Sequence, residues 1–517
     1  MARNKPLFFL VVLSFLALSS CNLHRKTGGG GGGGGGGNAT VSLTLVADTL
    51  PANPSILSFN VTISGITLTP ATGTAQTLQP SPSVIDLMRL QSDTAFLGTL
   101  TSVVAGSYTV QVAFSNPEIT FLNDTASAIT VGTASCPSGA ICAATFTAAG
   151  TPTIGSFTFT VNSMGQQGIG IDFNLKNAIS LSGGVLSVNF NPSSPNPAVL
   201  SAVALPKTNA NLGTNQLDLI EDFSGLVAIN GSSVTITSPT RGTLTATSTS
   251  SSNLDHDPSG TLCPSGTTTL SACVKAGQVA SFDAILDAAG TLSIREIEPL
   301  LSAQQDFVEG TVVAINPNSQ TQFGIVVTDK PSAATTNSLI SALKVGDLLT
   351  VNLSTSVTPT FLVDTKGLAV DTSFTVSFNF FNGQTTTSAI HLGQTVGVHV
   401  IAPFTAANGT TPASATADTV ILRWSRFRAT VVSAPSTATL TINALPSYFN
   451  ITPSSILTVQ GFFNGTLGSD GVTNLEGISN NAGNTTINQP VGLRALFLQN
   501  TTNTATTPFF AAKIRQP

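Results

Sequence analysis

A chain of 517 residues is several times the length of a typical domain, so three or four hydrophobic cores are expected, not one. Only 8% of its residues are charged, against a usual value of about 25%, and 41% are hydrophobic, with Thr, Ser, Asn and Gly prominent in the remainder; this is the composition of β-structure with hydroxyl-rich faces. A net charge of −5 without a basic stripe argues against nucleic acid as a partner, and 29 Phe with a mean hydropathy of +0.31 argue against a disordered chain.

The amino terminus carries Arg3 and Lys5, then an apolar run from Leu7 to Leu18, then Leu18-Ser19-Ser20-Cys21. A positive start, a short apolar stretch and small residues are the order of a secretory leader. The run falls short of the roughly 20 residues that a membrane-crossing helix needs. Leu18 to Cys21 resembles the bacterial lipobox. That resemblance implies cleavage after residue 20, lipid on the Cys21 thiol with palmitate-type acyl chains, and an exported protein held to the cell envelope by that lipid. Asn22 in place of Asp implies the outer membrane in systems that sort on this position. Loss of the leader lowers the 19 basic residues by two against 24 acidic ones, a net charge of −7. Ten glycines, Gly28 to Gly37, then extend the segment 21–38 into a tether, roughly 20 to 25 Å long as a coil.

Beyond the tether, apolar and polar residues alternate with period two, as in Val41-Ser42-Leu43-Thr44-Leu45-Val46 and Phe59-Asn60-Val61-Thr62-Ile63-Ser64. Clusters such as Asn191-Pro192-Ser193-Ser194-Pro195 punctuate these runs. The pattern predicts an all-β protein: an N-terminal β-sandwich-like domain at 39–207, a linker at 208–216, and tandem small OB-like β-barrel repeats at 217–300, 301–424 and 425–517. Four cysteines form two close pairs, Cys136 with Cys142 and Cys263 with Cys273, each opening on Cys-Pro-Ser-Gly. Neither pair is CxxC, so a disulfide is expected over a zinc site, each closing a short loop worth about 2 to 3 kcal/mol.

Several blocks in the first domain occur in order: Leu45-Val46-Ala47-Asp48, a strand at Val61 to Leu68, Ile85-Asp86-Leu87-Met88-Arg89-Leu90-Gln91, Ala105-Gly106-Ser107-Tyr108-Thr109-Val110, and Gly170-Ile171-Asp172-Phe173-Asn174-Leu175. In these blocks the stretch resembles the bacterial envelope family called domain of unknown function 4382. Asp86 is expected to cap a short turn and Gly106 to allow the reversal into the strand of Tyr108. Asp86, Asp172 and Tyr108 are the residues that a ligand would meet if they do not serve turn, edge and core.

After the linker the chain repeats itself. Phe223-Ser224-Gly225-Leu226-Val227, Val308-Glu309-Gly310-Thr311-Val312 and Phe427-Arg428-Ala429-Thr430-Val431 open the units. Ile294-Arg295, Leu422-Arg423 and Ile514-Arg515 are read as closing them, preceded by Gly277, Gly397 and Gly492. Lys344-Val345-Gly346-Asp347 is read as a turn into a strand. These units resemble tandem copies of domain of unknown function 5666, which implies small OB-like barrels. The three closing arginines are expected at solvated last-strand positions; the other reading has them line a common ligand groove.

Residues that carry chemistry are sparse. His24 lies in the tether, and His391 and His399 are read in strand-like alternation. Asp255, Asp257 and Ser259 have the spacing of a calcium loop, but Gly266 stands at the twelfth position where a Glu is needed, so a solvated turn is expected. No cofactor motif is present and no catalytic residue is assigned. The expected role is a non-catalytic, lipid-anchored binding or scaffold module for a carbohydrate, an envelope component or a partner protein. The alternatives are a hydrolase built around Asp255, His256 and Asp257, and a structural spacer.

Overall fold

Alternating apolar residues from Ala39 to Ala47 are buried against those of neighbouring strands, and this pairing organises the first domain of the computed structural model. The structure describes residues 38–80, 84–159, 166–192, 198–207, 211–255, 257, 259–264, 266–302, 306–332, 338–368, 370, 378–463, 471–498 and 508–516. Residues 37–517 form one compact unit. Cys21, His24, the polyglycine tether and His256 lie outside the described residues. None of the described helices is long and apolar enough to cross a membrane.

The first domain is a sandwich followed by a chain of short accessory strands. Its strands are β1 (Asn38–Asp48), β2 (Ser55–Pro70), β3 (Gln76–Leu78), β4 (Val84–Asp86), β5 (Ala95–Val104), β6 (Gly106–Leu122), β7 (Ile129–Val131), β8 (Ala134–Cys136), β9 (Ile141–Thr145), β10 (Ala149–Gly150), β11 (Thr153–Phe159), β12 (Gln166–Asn174), β13 (Ile179–Ser182), β14 (Val185–Val188) and β15 (Leu200–Leu205). One sheet runs β15-β12-β1-β5, with β1 parallel to β12 and antiparallel to β5. The facing sheet is built on the long β2–β6 pair, with β3, β4, β9, β10 and β11 along its edges. Between the sheets Phe173 meets Phe59 and Phe114 edge-on, at 6.3 and 5.2 Å, while Phe114 stacks on Phe190. A small third sheet, β13-β14-β7-β8, holds one end of the Cys136–Cys142 disulfide.

Three barrels follow. The first has β16 (Gln216–Asn230), β17 (Ser233–Ser238), β18 (Gly242–Thr247), β19 (Asn253–Leu254), β20 (Val279–Asp287) and β21 (Leu292–Leu301). The second has β22 (Asp306–Ile315), β23 (Gln322–Asp329), β24 (Leu348–Leu353), β25 (Thr360–Val363), β26 (Thr395–Thr405) and β27 (Ala413–Arg423). The third has β28 (Ser425–Ser433), β29 (Thr439–Asn443), β30 (Leu457–Gly461), β31 (Asn474–Glu476), β32 (Pro490–Phe497) and β33 (Phe509–Arg515). In each, the first long strand pairs with the second and with the next long strand, and the last strand closes on the third in parallel: β18 on β21, β24 on β27, β30 on β33. This is the closed five-strand path of an OB-like barrel, with one short strand added in parallel beside the last.

The equivalence of the repeats is carried by a turn. Val227, Val312 and Val431 exchange backbone hydrogen bonds with Gly277-Gln278, Gly393-Gln394 and Asn488-Gln489. Three residues on, Ser281, Gly397 and Gly492 pair with Glu298, Ile421 and Arg515. Gly277 is therefore not the counterpart of Gly397 and Gly492, and Arg295, Arg423 and Arg515 do not occupy one repeated position. The resemblance of the three Ile/Leu-Arg ends is local, because irregularities in the last strands shift their register.

Domains pack on faces that the alternation marks as polar. Ser42, Thr44 and Asp48 of β1 are buried because the barrels cover them; Thr44 Oγ1 donates to Asp218 of the first barrel at 2.9 Å. The turn before β24 docks on the sandwich, where Asn60 donates to the Val345 carbonyl and Thr120 to that of Gly346. Gly346 combines a φ of +94° with close approach to Thr120 and Ser58, so a side chain there is strained and obstructed. At Gly492 a Cβ would lie 2.3 Å from the Gln91 carbonyl, where the third barrel meets the sandwich. Gly106 turned out to be the first residue of β6 itself.

Candidate functional site

Charge is rare in this chain, and most of what there is has been gathered into one place. Among the described residues, eleven basic and eleven acidic side chains join through contacts within 4.0 Å into a single connected network. The formal charges cancel, which is the condition for holding so many ions away from water. Its centre is Asp222, placed by a bulge in β16 with φ +49°. Its carboxylate meets Arg89 of the sandwich at 3.1 Å, Arg423 and Lys366 of the second barrel at 3.0 and 3.6 Å, and Arg426 of the third. Burial alone would raise its pKa, but Arg423, Lys366, Arg426 and Arg89 more than reverse this and hold it well below the carboxylate range.

All four domains contribute. Arg515 and Arg428 of the third barrel hold Asp48 of the sandwich, Lys513 bridges Glu476 and Glu221, and Arg494 reaches Glu221 and Asp283. Arg295, Arg423 and Arg515, expected in solvent, are 7%, 0% and 1% exposed and belong to this network. They line no groove, since carboxylates and a side-chain amide occupy their guanidinium groups. Strand alternation predicts their faces correctly but cannot distinguish water from another domain.

Beside the network, the sandwich and the first two barrels leave a cleft of about 790 Å³. Its floor is apolar: Ile85 and Leu90 from the sandwich, Ile220, Phe223 and Leu244 from the first barrel, and Leu343 from the second, all buried. Arg89, Arg241, Lys330 and Lys344 are the cationic side chains along its walls, and Asp86 and Glu118 the acidic ones. Arg241 lies over the Phe223 ring, 4.7 Å from its centre. Its guanidinium donates to the Asp222 carbonyl and, among the described residues, comes within 4.0 Å of one carboxylate, Asp329, at 3.9 Å. Burial, and then repulsion from Arg89, push its pKa down to about 10. The Lys330 ammonium is held by the carbonyls of Ile340, Ser341 and Leu343, and burial lowers its pKa too. Buried hydroxyls of Thr94 and Thr328 line the same space without a hydrogen-bond partner.

No protein-family model, curated protein or solved structure matches the chain.

Of the candidate ligand contacts and chemistry-bearing residues singled out in the sequence, Asp86 alone lines this cleft, beside residues quoted there only as family or repeat blocks. Its Oδ1 accepts from the amides of Met88 and Phe59, closing the turn at 86–88 that leads into the short helix Arg89–Gln91, and burial raises its pKa to about 6. Tyr108 is a core residue whose hydroxyl donates to the Val104 carbonyl at 2.6 Å. Asp172 stands beside Asp48 at the network's edge, where burial and that neighbour raise its pKa to about 7. Disulfides join Cys136 to Cys142 and Cys263 to Cys273.

Within the expected solvated turn Asp255 and Asp257 are buried, 7% and 3% exposed, while Ser259 is exposed. The Asp257 carboxylate accepts from the amides of Ser259, Thr261, Leu262 and Cys263 and from the Ser259 hydroxyl. Those bonds organise the loop that leads into the Cys263 disulfide and occupy the Asp257 oxygens. His391 lies in the turn before β26, outside any strand, and its amide is held by Gln394. His399, on β26, pairs through Nδ1 with Asp418 at 2.6 Å. The hydroxyl tied to that pair, Thr419, donates to the carboxylate, the wrong partner for a nucleophile awaiting a base.

Proposed function

We propose that the protein is a lipid-anchored envelope protein that binds a small envelope component in the cleft between its sandwich and first two barrels, with no catalytic centre of its own. One observation carries the reading: the 790 Å³ cleft, with an apolar floor and a few polar groups converging on it. Binding pockets of about 300 to 1,000 Å³ have this make-up and favour domain junctions. The buried ion network fits the same purpose, because it fixes three domains around the cleft so that little ordering remains to be done when a ligand arrives. The lipobox-like Leu18 to Cys21 supports the anchoring, and the resemblance of 39–207 to a family of envelope domains agrees with the location.

The test is retention. Mature protein on a support is offered the polysaccharide, lipid and protein fractions of an envelope extract, in parallel with Ala95→Trp, which places a large ring at a half-buried wall position. A component held by the wild type and lost from a variant of equal thermal stability is the expected result. Equal retention by both proteins contradicts the reading.

A further inference from the structure

We infer that the cleft takes a single-chain amphiphile bearing one anionic group, of the carboxylate kind, with its apolar chain on the floor and its charge toward Arg241. This rests on the cleft being the binding site and adds the chemistry of what fills it.

The floor and the walls divide the cleft into two environments. Ile85 and Leu90 of the sandwich and Ile220, Phe223 and Leu244 of the first barrel line the cleft with apolar side chains. A chain laid on it gains roughly fourfold in affinity for each methylene buried. Arg241 borders that surface, its guanidinium carbon 4.7 Å from the centre of the Phe223 ring. At the centre of the network the buried arginines meet several carboxylates each, as Arg423 meets Asp222, Glu298, Glu309 and Asp364, whereas Arg428 has, among the described residues, Asp48 alone. Arg241 has one carboxylate at 3.9 Å and otherwise backbone carbonyls. Burial, and then repulsion from Arg89, lower its pKa against the pull of Asp329, Asp93 and Asp222.

Two further groups point the same way. The Thr94 hydroxyl, in a residue only 1% exposed, lines the cleft without a partner and supplies a donor for a carboxylate oxygen. Lys344, exposed at the rim, adds positive charge at the mouth. The acidic residues are placed differently. Asp86 is turned to the amides of Met88 and Phe59, and Glu118 sits on β6 beside exposed Asn116. A volume of about 790 Å³ accommodates one acyl chain with its head group.

The experiment is titration calorimetry on the chain from Asn38 to Pro517, which contains every core and the whole ion network. The probes are dodecanoate, methyl dodecanoate and dodecyltrimethylammonium, each below its micellar concentration. Dodecanoate is expected to bind one per chain, at least about tenfold tighter than the other two, as one charge-assisted contact provides. Decanoate should bind more weakly than dodecanoate. Arg241→Gln should remove the preference for the anion, Arg241→Lys should restore part of it, and Lys344→Gln should weaken it without touching the buried network. If the three probes bind alike and Ala95→Trp abolishes them all, the anionic preference is wrong while the cleft stands. Binding of every probe unchanged by Ala95→Trp, in a protein with unaltered thermal stability, overturns both.

Discussion

The Arg423 guanidinium, on the last strand of the second barrel, lies 3.0 Å from the Asp222 carboxylate on the first strand of the first, and neither side chain is reached by water. Each is held by others as well, so the pair is a node through which all four domains are connected. A buried ion pair adds little over an apolar pair of the same shape, but removing one partner strands a charge and costs about 3 to 5 kcal/mol. Arg423→Met is therefore expected to destabilise the Asn38 to Pro517 chain by that amount in urea unfolding. Unfolding should remain one transition in the wild type and separate into more than one in the variant. A loss below about 1 kcal/mol would mean that the network does not hold the domains together.

The acid–base behaviour of the network has two signs. Asp172 and Glu298 are raised to about 7, and Asp218 and Asp86 to about 6, all chiefly by burial. The folded chain keeps protons there that the unfolded chain has released, so stability falls as pH rises from about 4 to 7. Asp48, Asp93, Asp222, Asp283 and Glu476 are lowered because their cationic partners outweigh burial. Their contribution is complete above the ordinary carboxylate range and is lost as pH falls below about 4. Thermal stability is expected to peak near about pH 5 and decline on both sides, and Asp172→Asn should flatten the alkaline side. A melting temperature that climbs steadily to pH 8 contradicts this.

Much of this fold is legible in the chain. Period-two alternation marks the strands, and Gly-Gln at 277–278 and 393–394, with Asn-Gln at 488–489, marks the repeat turn. What alternation does not reveal is the partner of each polar face. Ser42, Thr44 and Asp48 read as a solvent face and are covered by barrels, and Arg295, Arg423 and Arg515 read as solvated and are buried. The signal was present in another form: a chain with 8% charge places Glu221-Asp222 inside an apolar run and Arg426 and Arg428 around Phe427. Charges spent so sparingly within strands mark burial with partners. The cleft could not be read at all, because its lining comes from three domains and pairing between domains leaves no periodic trace.

The disulfides are open to peptide mapping of protein taken from the envelope. Cys136 linked to Cys142, and Cys263 to Cys273, are the expected products, and serine at either pair should cost about 2 to 3 kcal/mol of stability. Crosswise links or four free thiols would contradict the pairing.

Lipid attachment is tested at Cys21. The Cys21→Ser protein is expected to take up no fatty-acid analogue and to accumulate as an uncleaved precursor. Labelling that persists in this variant removes the anchor from the proposal.

The most direct test of the binding site is hydrogen exchange, read by mass spectrometry, on the mature protein with and without the envelope fraction that it retains. Ligand in the cleft should slow exchange in three segments distant in sequence, 84–96, 239–244 and 341–345, which line it from three domains. Protection in all three together, absent in Ala95→Trp, is the predicted result. Protection confined to the outer strands of the third barrel, with these segments unchanged, would show that binding occurs elsewhere.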